Sequence, residues 1–121
     1  MKNYILLILV ILVDVFAQHN ANGQTPSVAN WAWGKDFNPA STLPPKMCYK
    51  DGFVYTAGDY DSTLHIEGQI FPNNGGKDIY LAKWDTTGNL IWAQTISQAD
   101  HQSVSNIHVK DNKIVLTGGY N

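Results

Sequence analysis

DIYLAKWDTTGNLIWAQTI, residues Asp78 to Ile96, holds two short apolar runs on either side of a polar pentapeptide. Ile79–Trp84 and Leu90–Ile96 are rich in β-branched and aromatic residues, too short for ordinary helices and without a helical period. Between them, Asp85-Thr86-Thr87-Gly88-Asn89 places a glycine where a hairpin loop commonly needs positive φ. The segment therefore predicts an antiparallel hairpin. The same signature recurs on both sides. Lys46–Lys50 and Phe53–Asp59 are joined by a polar link at Lys50-Asp51-Gly52, and Val104–Lys110 and Ile114–Gly119 by Asp111-Asn112-Lys113. A further strand is expected at Trp31–Gly34, and a shorter one at Leu64–Phe71 inside the long connection from Tyr60 to Lys77. The expected class is all-β.

The strands repeat. Trp31-Ala32 and Trp92-Ala93 lie 61 positions apart, as do Thr56-Ala57-Gly58 and Thr117-Gly118-Gly119. MCYKDG (Met47–Gly52) matches IHVKDN (Ile107–Asn112) at an offset of 60, which implies one residue inserted before the following strand. A repeated all-β unit that cannot cover its own apolar faces must stack on a neighbour. At this period the natural unit is a four-stranded antiparallel propeller blade. Residues 46–96 make one whole blade and 104–119 the first two strands of the next, about one and a half blades of a partial β-propeller over 31–121. Trp31-Ala32 aligns with a fourth, outer strand, as though the chain opened by completing a blade built from a distant carboxyl end. Such a closure protects two sheet edges at once.

These residues resemble the bacterial seven-bladed β-propeller repeat family. The resemblance rests on Asp78, Tyr80, Ala82, Lys83, Trp84 and Asp85 in one strand, on Gly88, Asn89 and Trp92 after it, and on Ile107, Val109, Asp111, Thr117 and Gly118 in the next pair. It covers about 31–121 and implies architecture, not chemistry: it brings no catalytic residues and no cofactor. Two departures stand out. The turn at Asp111-Asn112-Lys113 is shortened and lacks glycine, and Asn121 falls where a third strand would follow. Similar proteins are several hundred residues long, so an amino-terminal fragment is expected; a short chain building a propeller from identical copies is the runner-up.

The start of the chain reads as an export signal. Lys2 precedes the unbroken apolar run Tyr4–Val13, which is shorter than the roughly 20 residues a spanning helix needs. Ala17 before Gln18 suits cleavage, giving a signal peptide over 1–17, and the sequence also allows a cut near Ala21. Residues 18–30, QHNANGQTPSVAN, have the composition of a flexible lead-in. No cysteine follows the apolar run to accept a lipid, and the single cysteine, Cys48, has no internal disulfide partner. Export without disulfides points to a bacterial envelope or extracellular protein with no membrane span after cleavage. All eight basic residues are lysines and the formal charge is −2, so nucleic acid is not an expected partner.

Several groups invite a chemical reading, each with a plainer one beside it. His65 and Glu67 alternate on one face of a short strand and would start a zinc site if a third ligand converged, but no such ligand is evident. Asp59 and Asp61 bracket a strand end, as in a calcium loop, without its repeated oxygen ladder. Asn73-Asn74-Gly75-Gly76-Lys77 has glycines before a lysine but not the Walker spacing. Cys48 lacks a cysteine–histidine motif and reads as a small buried hydrophobe. Aromatic faces can stack on sugars, but Trp84 and Trp92 belong to the repeat, where packing between blades explains them, and Trp33 is the tryptophan least explained by it. No catalytic, cofactor-binding or metal-binding residue is assigned. The expected role is a non-enzymatic recognition or structural scaffold. Its partners would be further blades or identical copies, with a glycan or protein ligand at the loops. The alternative is the scaffold of a larger extracellular enzyme, for example one that degrades polysaccharide, whose carboxylates lie outside these residues.

Overall fold

The computed structural model describes residues 32–35 and 44–121, so the expected signal peptide and lead-in, 1–17 and 18–30, lie outside the described residues. The described chain is all-β, with antiparallel sheets and no helix. Its strands are β1 (Lys46–Lys50), β2 (Phe53–Tyr60), β3 (Leu64–Ile66), β4 (Gln69–Phe71), β5 (Asp78–Asp85), β6 (Leu90–Ile96), β7 (Gln102–Lys110) and β8 (Lys113–Tyr120). The expected single strand over Leu64–Phe71 is a hairpin, β3–β4, folded at Glu67-Gly68.

The main sheet has the order β1-β2-β5-β6, a four-stranded antiparallel meander interrupted only by the β3–β4 excursion. β2 and β5 pair along their full length, from Phe53↔Asp85 to Tyr60↔Asp78. Ile91 is an extra residue opposite the Lys83/Trp84 step, so Leu90 and Ala93 both turn towards the same face.

Three two-residue turns set the hairpin registers. Asp51-Gly52, Glu67-Gly68 and Asp111-Asn112 each have positive φ at both positions, the geometry whose twist matches the flanking strands. Asn112, at φ 59°, fills the left-handed position that Gly52 and Gly68 fill elsewhere. The apparently shortened turn is thus complete without glycine, and Lys113 belongs to β8.

This turn geometry corrects the repeat. Register pairs Met47↔Thr56 and Tyr49↔Val54 in the first unit correspond to Ile107↔Leu116 and Val109↔Ile114 in the second, a uniform offset of 60 with no inserted residue. The Thr56/Thr117 alignment at 61 is a one-residue slip. Strand equivalence instead matches Gly58 with Gly118 and Tyr60 with Tyr120.

Side-chain alternation gives the main sheet two apolar faces. One carries Val54, Tyr60, Tyr80, Ala82 and Trp84, and is roofed by Leu64, Ile66 and Phe71 of β3–β4 and by Trp33. The other carries Tyr55, Ala57, Ile79, Leu81 and Trp92 and packs against Val104, Ile107, Val109, Ile114 and Leu116 of the β7–β8 pair. β7 lies across β1, β2 and β5. Under the uniform offset, Ile107, Val109, Ile114 and Leu116 are the counterparts of Met47, Tyr49, Val54 and Thr56 on the roofed face. The two units therefore stack face to back, not face to face.

The expected strand at Trp31–Gly34 is corrected in part: Ala32–Gly34 form no strand, and Trp31 lies outside the described residues. The segment is held by side chains in place of a ladder. Trp33 Nε1 donates to the Thr86 carbonyl at 2.9 Å, and its ring lies 6.3 Å from that of Trp84. A Cβ at Gly88 would come within 2.9 Å of the Trp33 ring, so the glycine also makes room for the indole.

The β5–β6 loop is organised by Asp85. Its Oδ1 accepts from the amides of Thr87 and Asn89, both at 2.9 Å, and from Thr87 Oγ1 at 2.7 Å, while Oδ2 accepts from Asn89 Nδ2 at 2.8 Å. The Asn89 bonds, followed by that of the Thr87 hydroxyl, lower the carboxyl from its ordinary 3.8 to about 2. A lowered folded-state value favours folding above the unfolded value and loses that contribution as pH falls through the folded one. Asp85→Asn is expected to lower the melting temperature at pH 7 and to flatten its decline between about pH 4 and about pH 2, measured by thermal melts across that range. At the β7–β8 turn, Asn112→Ala should cost about 1 kcal/mol by denaturant titration because its φ is left-handed, whereas Asn112→Gly should stay within about 0.5 kcal/mol of the parent.

Candidate functional site

The long β2–β5 connection and the β6–β7 connection meet at one end of the stack, opposite the tight turns at Asp51-Gly52 and Asp111-Asn112. Their contact is close. A Cβ at Gly76 would fall 2.9 Å from the Asp100 carbonyl and one at Gly75 3.1 Å from that of Ala99, so both glycines are required by backbone approach. Lys77 N donates to His101 Nδ1 at 3.1 Å, and Gln102 N donates to the Lys77 carbonyl at 2.8 Å. His101 and Asn121 exchange two backbone hydrogen bonds, of 3.1 and 3.0 Å. Tyr120 adds a 3.0 Å hydrogen bond from its hydroxyl to Asp100 Oδ2, and that carboxylate raises the tyrosine's pKa.

Asp78 anchors the same end from beneath. It is fully buried, and its Oδ2 accepts from Asn74 N at 3.0 Å and Asn73 Nδ2 at 3.3 Å. Asn73 Nδ2 also reaches the carbonyls of Gly76 at 2.7 Å and Tyr60 at 3.3 Å. The other carboxylate oxygen of Asp78, Oδ1, accepts no hydrogen bond. On the opposite face, buried Asp59 is paired with Lys77 Nζ at 3.1 Å. The nearby Tyr80 hydroxyl is driven strongly towards its neutral form, first by burial and then by the Asp59 charge.

This geometry accounts for each residue singled out in the sequence. The amides of Asn74, Gly75 and Lys77, which a phosphate cradle would need, already donate to Asp78, Asn73 and His101. Asp59 and Asp61 do not share a site: one is buried beneath Lys77 and the other is exposed past the end of β2. His65 is exposed on β3, whereas Glu67 sits in the turn at φ 45° and pairs with Lys35 at 2.5 Å. Glu67 is thereby taken out of the strand alternation that aligned it with His65. Among the described residues, no group of three or more His, Cys, Asp or Glu side chains is placed to hold a metal ion. Cys48 is half-buried and packs at the interface between the sheets. Trp84 is buried, with Nε1 donating to Thr56 Oγ1 at 3.0 Å, and Trp92 meets Tyr55 edge-on at 6.5 Å. Trp33, the tryptophan least explained by the repeat, is half-buried against Gly88 and Trp84.

Sequence reasoning missed a cleft beside this loop end. Ile79 and Ile96 of the main sheet form one wall, and Ser103, Val104, Leu116 and Gly118 contribute to the other. Its volume is about 230 Å³, below the roughly 300–1,000 Å³ usual for small-molecule sites. Gln102 also lines it; this side chain is buried, with Nε2 donating to the Asp100 carbonyl at 2.5 Å and Oε1 accepting nothing.

Among the described residues no helix is long and apolar enough to cross a membrane. Comparison with protein-family models, with curated proteins and with solved structures finds no match to this chain.

Proposed function

We propose that the chain is part of a secreted β-propeller that serves as a structural or recognition scaffold, with β1, β2, β5 and β6 as one blade and β7–β8 as the inner half of the next. The observation that carries this reading is the uniform offset of 60 combined with face-to-back stacking. A unit that meets its neighbour through unlike faces leaves an unlike face open at each end, and such heterologous contacts either close into a ring or run on. Met47 and Tyr49 are 38% and 59% exposed, although their counterparts Ile107 and Val109 are buried against the main sheet. Their exposure fits a face that receives a preceding blade.

A scaffold role is favoured by the way the polar groups are used. Asp59, Asp78 and Asp85 are each committed to a lysine, to asparagines or to loop amides that hold the fold. Recognition is assigned to the end built from residues 61–77 and 97–101, where long connections stand on a stacked base. Export rests on the apolar run Tyr4–Val13 and the small residue at Ala17.

Open faces predict association. The chain beginning at Gln18 should self-associate in sedimentation-velocity experiments at micromolar concentration, and a Tyr49→Lys, Ile96→Lys double variant should shift it towards monomer, since both side chains are exposed and apolar. A parent chain that sediments as a single monomer and melts cooperatively counts against the reading.

A further inference from the structure

The geometry points to the outer edge of β8, together with the cleft beneath it, as the docking site for an antiparallel strand of the β5 type supplied by a further repeat unit. The inference rests on the blade reading above and adds the sequence that the site selects.

The template is internal. β2 presents its outer edge to β5 over eight residue pairs, and β8 is the repeat of β2. Among the described residues no strand pairs with that edge of β8. Transferring the β2–β5 register by 60 places an aspartate of the incoming strand opposite Lys113, its Trp84 equivalent opposite Ile114, its Ala82 equivalent opposite Leu116 and its Tyr80 equivalent opposite Gly118. The last three positions face the main sheet. At Gly118 the template changes: the space that the Tyr80 ring fills over Gly58 is taken at Gly118 by the Ser103 carbonyl, so a small side chain suits the incoming strand at that position. The incoming strand would thus extend the established contact between the sheets over Ile96, which is 47% exposed. At the far end, Lys113 opposite an aspartate is a favourable cross-strand pair.

One position departs from the template and sets specificity. In the first unit the Trp84 indole donates to Thr56 Oγ1, but the counterpart of Thr56 is Leu116, which accepts nothing. The β8 edge should therefore prefer a strand whose residue at the Trp84 position is phenylalanine or another apolar side chain without an N–H. A second copy of this chain is a poor source, because its own β5 is already paired on both edges, with β2 and with β6.

The test uses the protein expressed from its full 121-residue sequence. Two synthetic hairpins spanning Asp78–Ser97 serve as probes, one with this chain's sequence and one carrying Trp84→Phe. Hydrogen–deuterium exchange at concentrations where the protein is monomeric should show the hairpins slowing exchange in β8, since alternate amides along an edge gain partners. The Trp84→Phe hairpin should bind at least about fivefold more tightly, the cost of burying an unpaired indole N–H. Leu116→Thr in the protein should restore an acceptor and abolish that preference. Binding that protects β1 or β6 instead of β8, equal affinity for the two hairpins, or dimers that exchange their own β5–β6 would overturn the inference. A double-mutant cycle between Tyr55→Ala and Ile107→Ala separates the two levels, because it reads the stacking of β7 on the main sheet without involving the β8 edge. Non-additive melting shifts with no hairpin binding sink the docking site and leave the blade reading standing; additive shifts sink both.

Discussion

A β-sheet with two apolar faces cannot be stable in water until both are covered, and every larger feature of this chain follows from how that demand is met. The main sheet has such faces because its strands alternate two apolar sets, Val54, Tyr80 and Trp84 on one side and Tyr55, Ala57 and Ile79 on the other. The chain covers them differently. One receives its own β3–β4 excursion and the Trp33 indole; the other receives the β7–β8 pair. The same apolar burial therefore closes the main sheet on one side and joins it to the β7–β8 pair on the other.

The polar groups follow a complementary logic at the loop end. A buried carboxylate is tolerable only if donors or a cation surround it. Asp78 gathers Asn73 and Asn74, and Asp59 gathers Lys77, so the connections above them are pinned at their roots. Gly75 and Gly76 then let the 73–77 loop approach the 99–101 segment more closely than any side chain allows. The result is a pinned base beneath the two connections.

Much of this was legible in the residues. The limits of β1, β2, β5 and β6 follow from apolar runs bounded by Lys50-Asp51-Gly52 and Asp85–Asn89, because strand period and turn chemistry are local properties. Glu67-Gly68 was read through as continuous strand, since its turn interrupts an otherwise alternating run. The repeat was recognised but mis-registered at its second half: Thr56-Ala57-Gly58 and Thr117-Gly118-Gly119 look alike, whereas register is fixed by the two-residue turns and moves the equivalence by one. That slip assigns every side chain of β8 to the wrong face. The setting of Trp33 and the cleft were hidden for a different reason, as both bring together segments far apart in the chain: Trp33 bonds to Thr86, and Ile79 lines the cleft with Gly118. The buried role of Asp78 was similarly hidden, because an aspartate opening a strand shows nothing of the asparagines that will surround it.

The β3–β4 hairpin makes the two ends of the stack unequal. By roofing the part of its face near Tyr60 and Tyr80, it leaves a newcomer on that side only the strip formed by Met47 and Tyr49, whereas the opposite end offers a whole strand edge with a recess behind it. Two ends so different cannot be covered by one and the same surface, and the hairpin is what makes them differ.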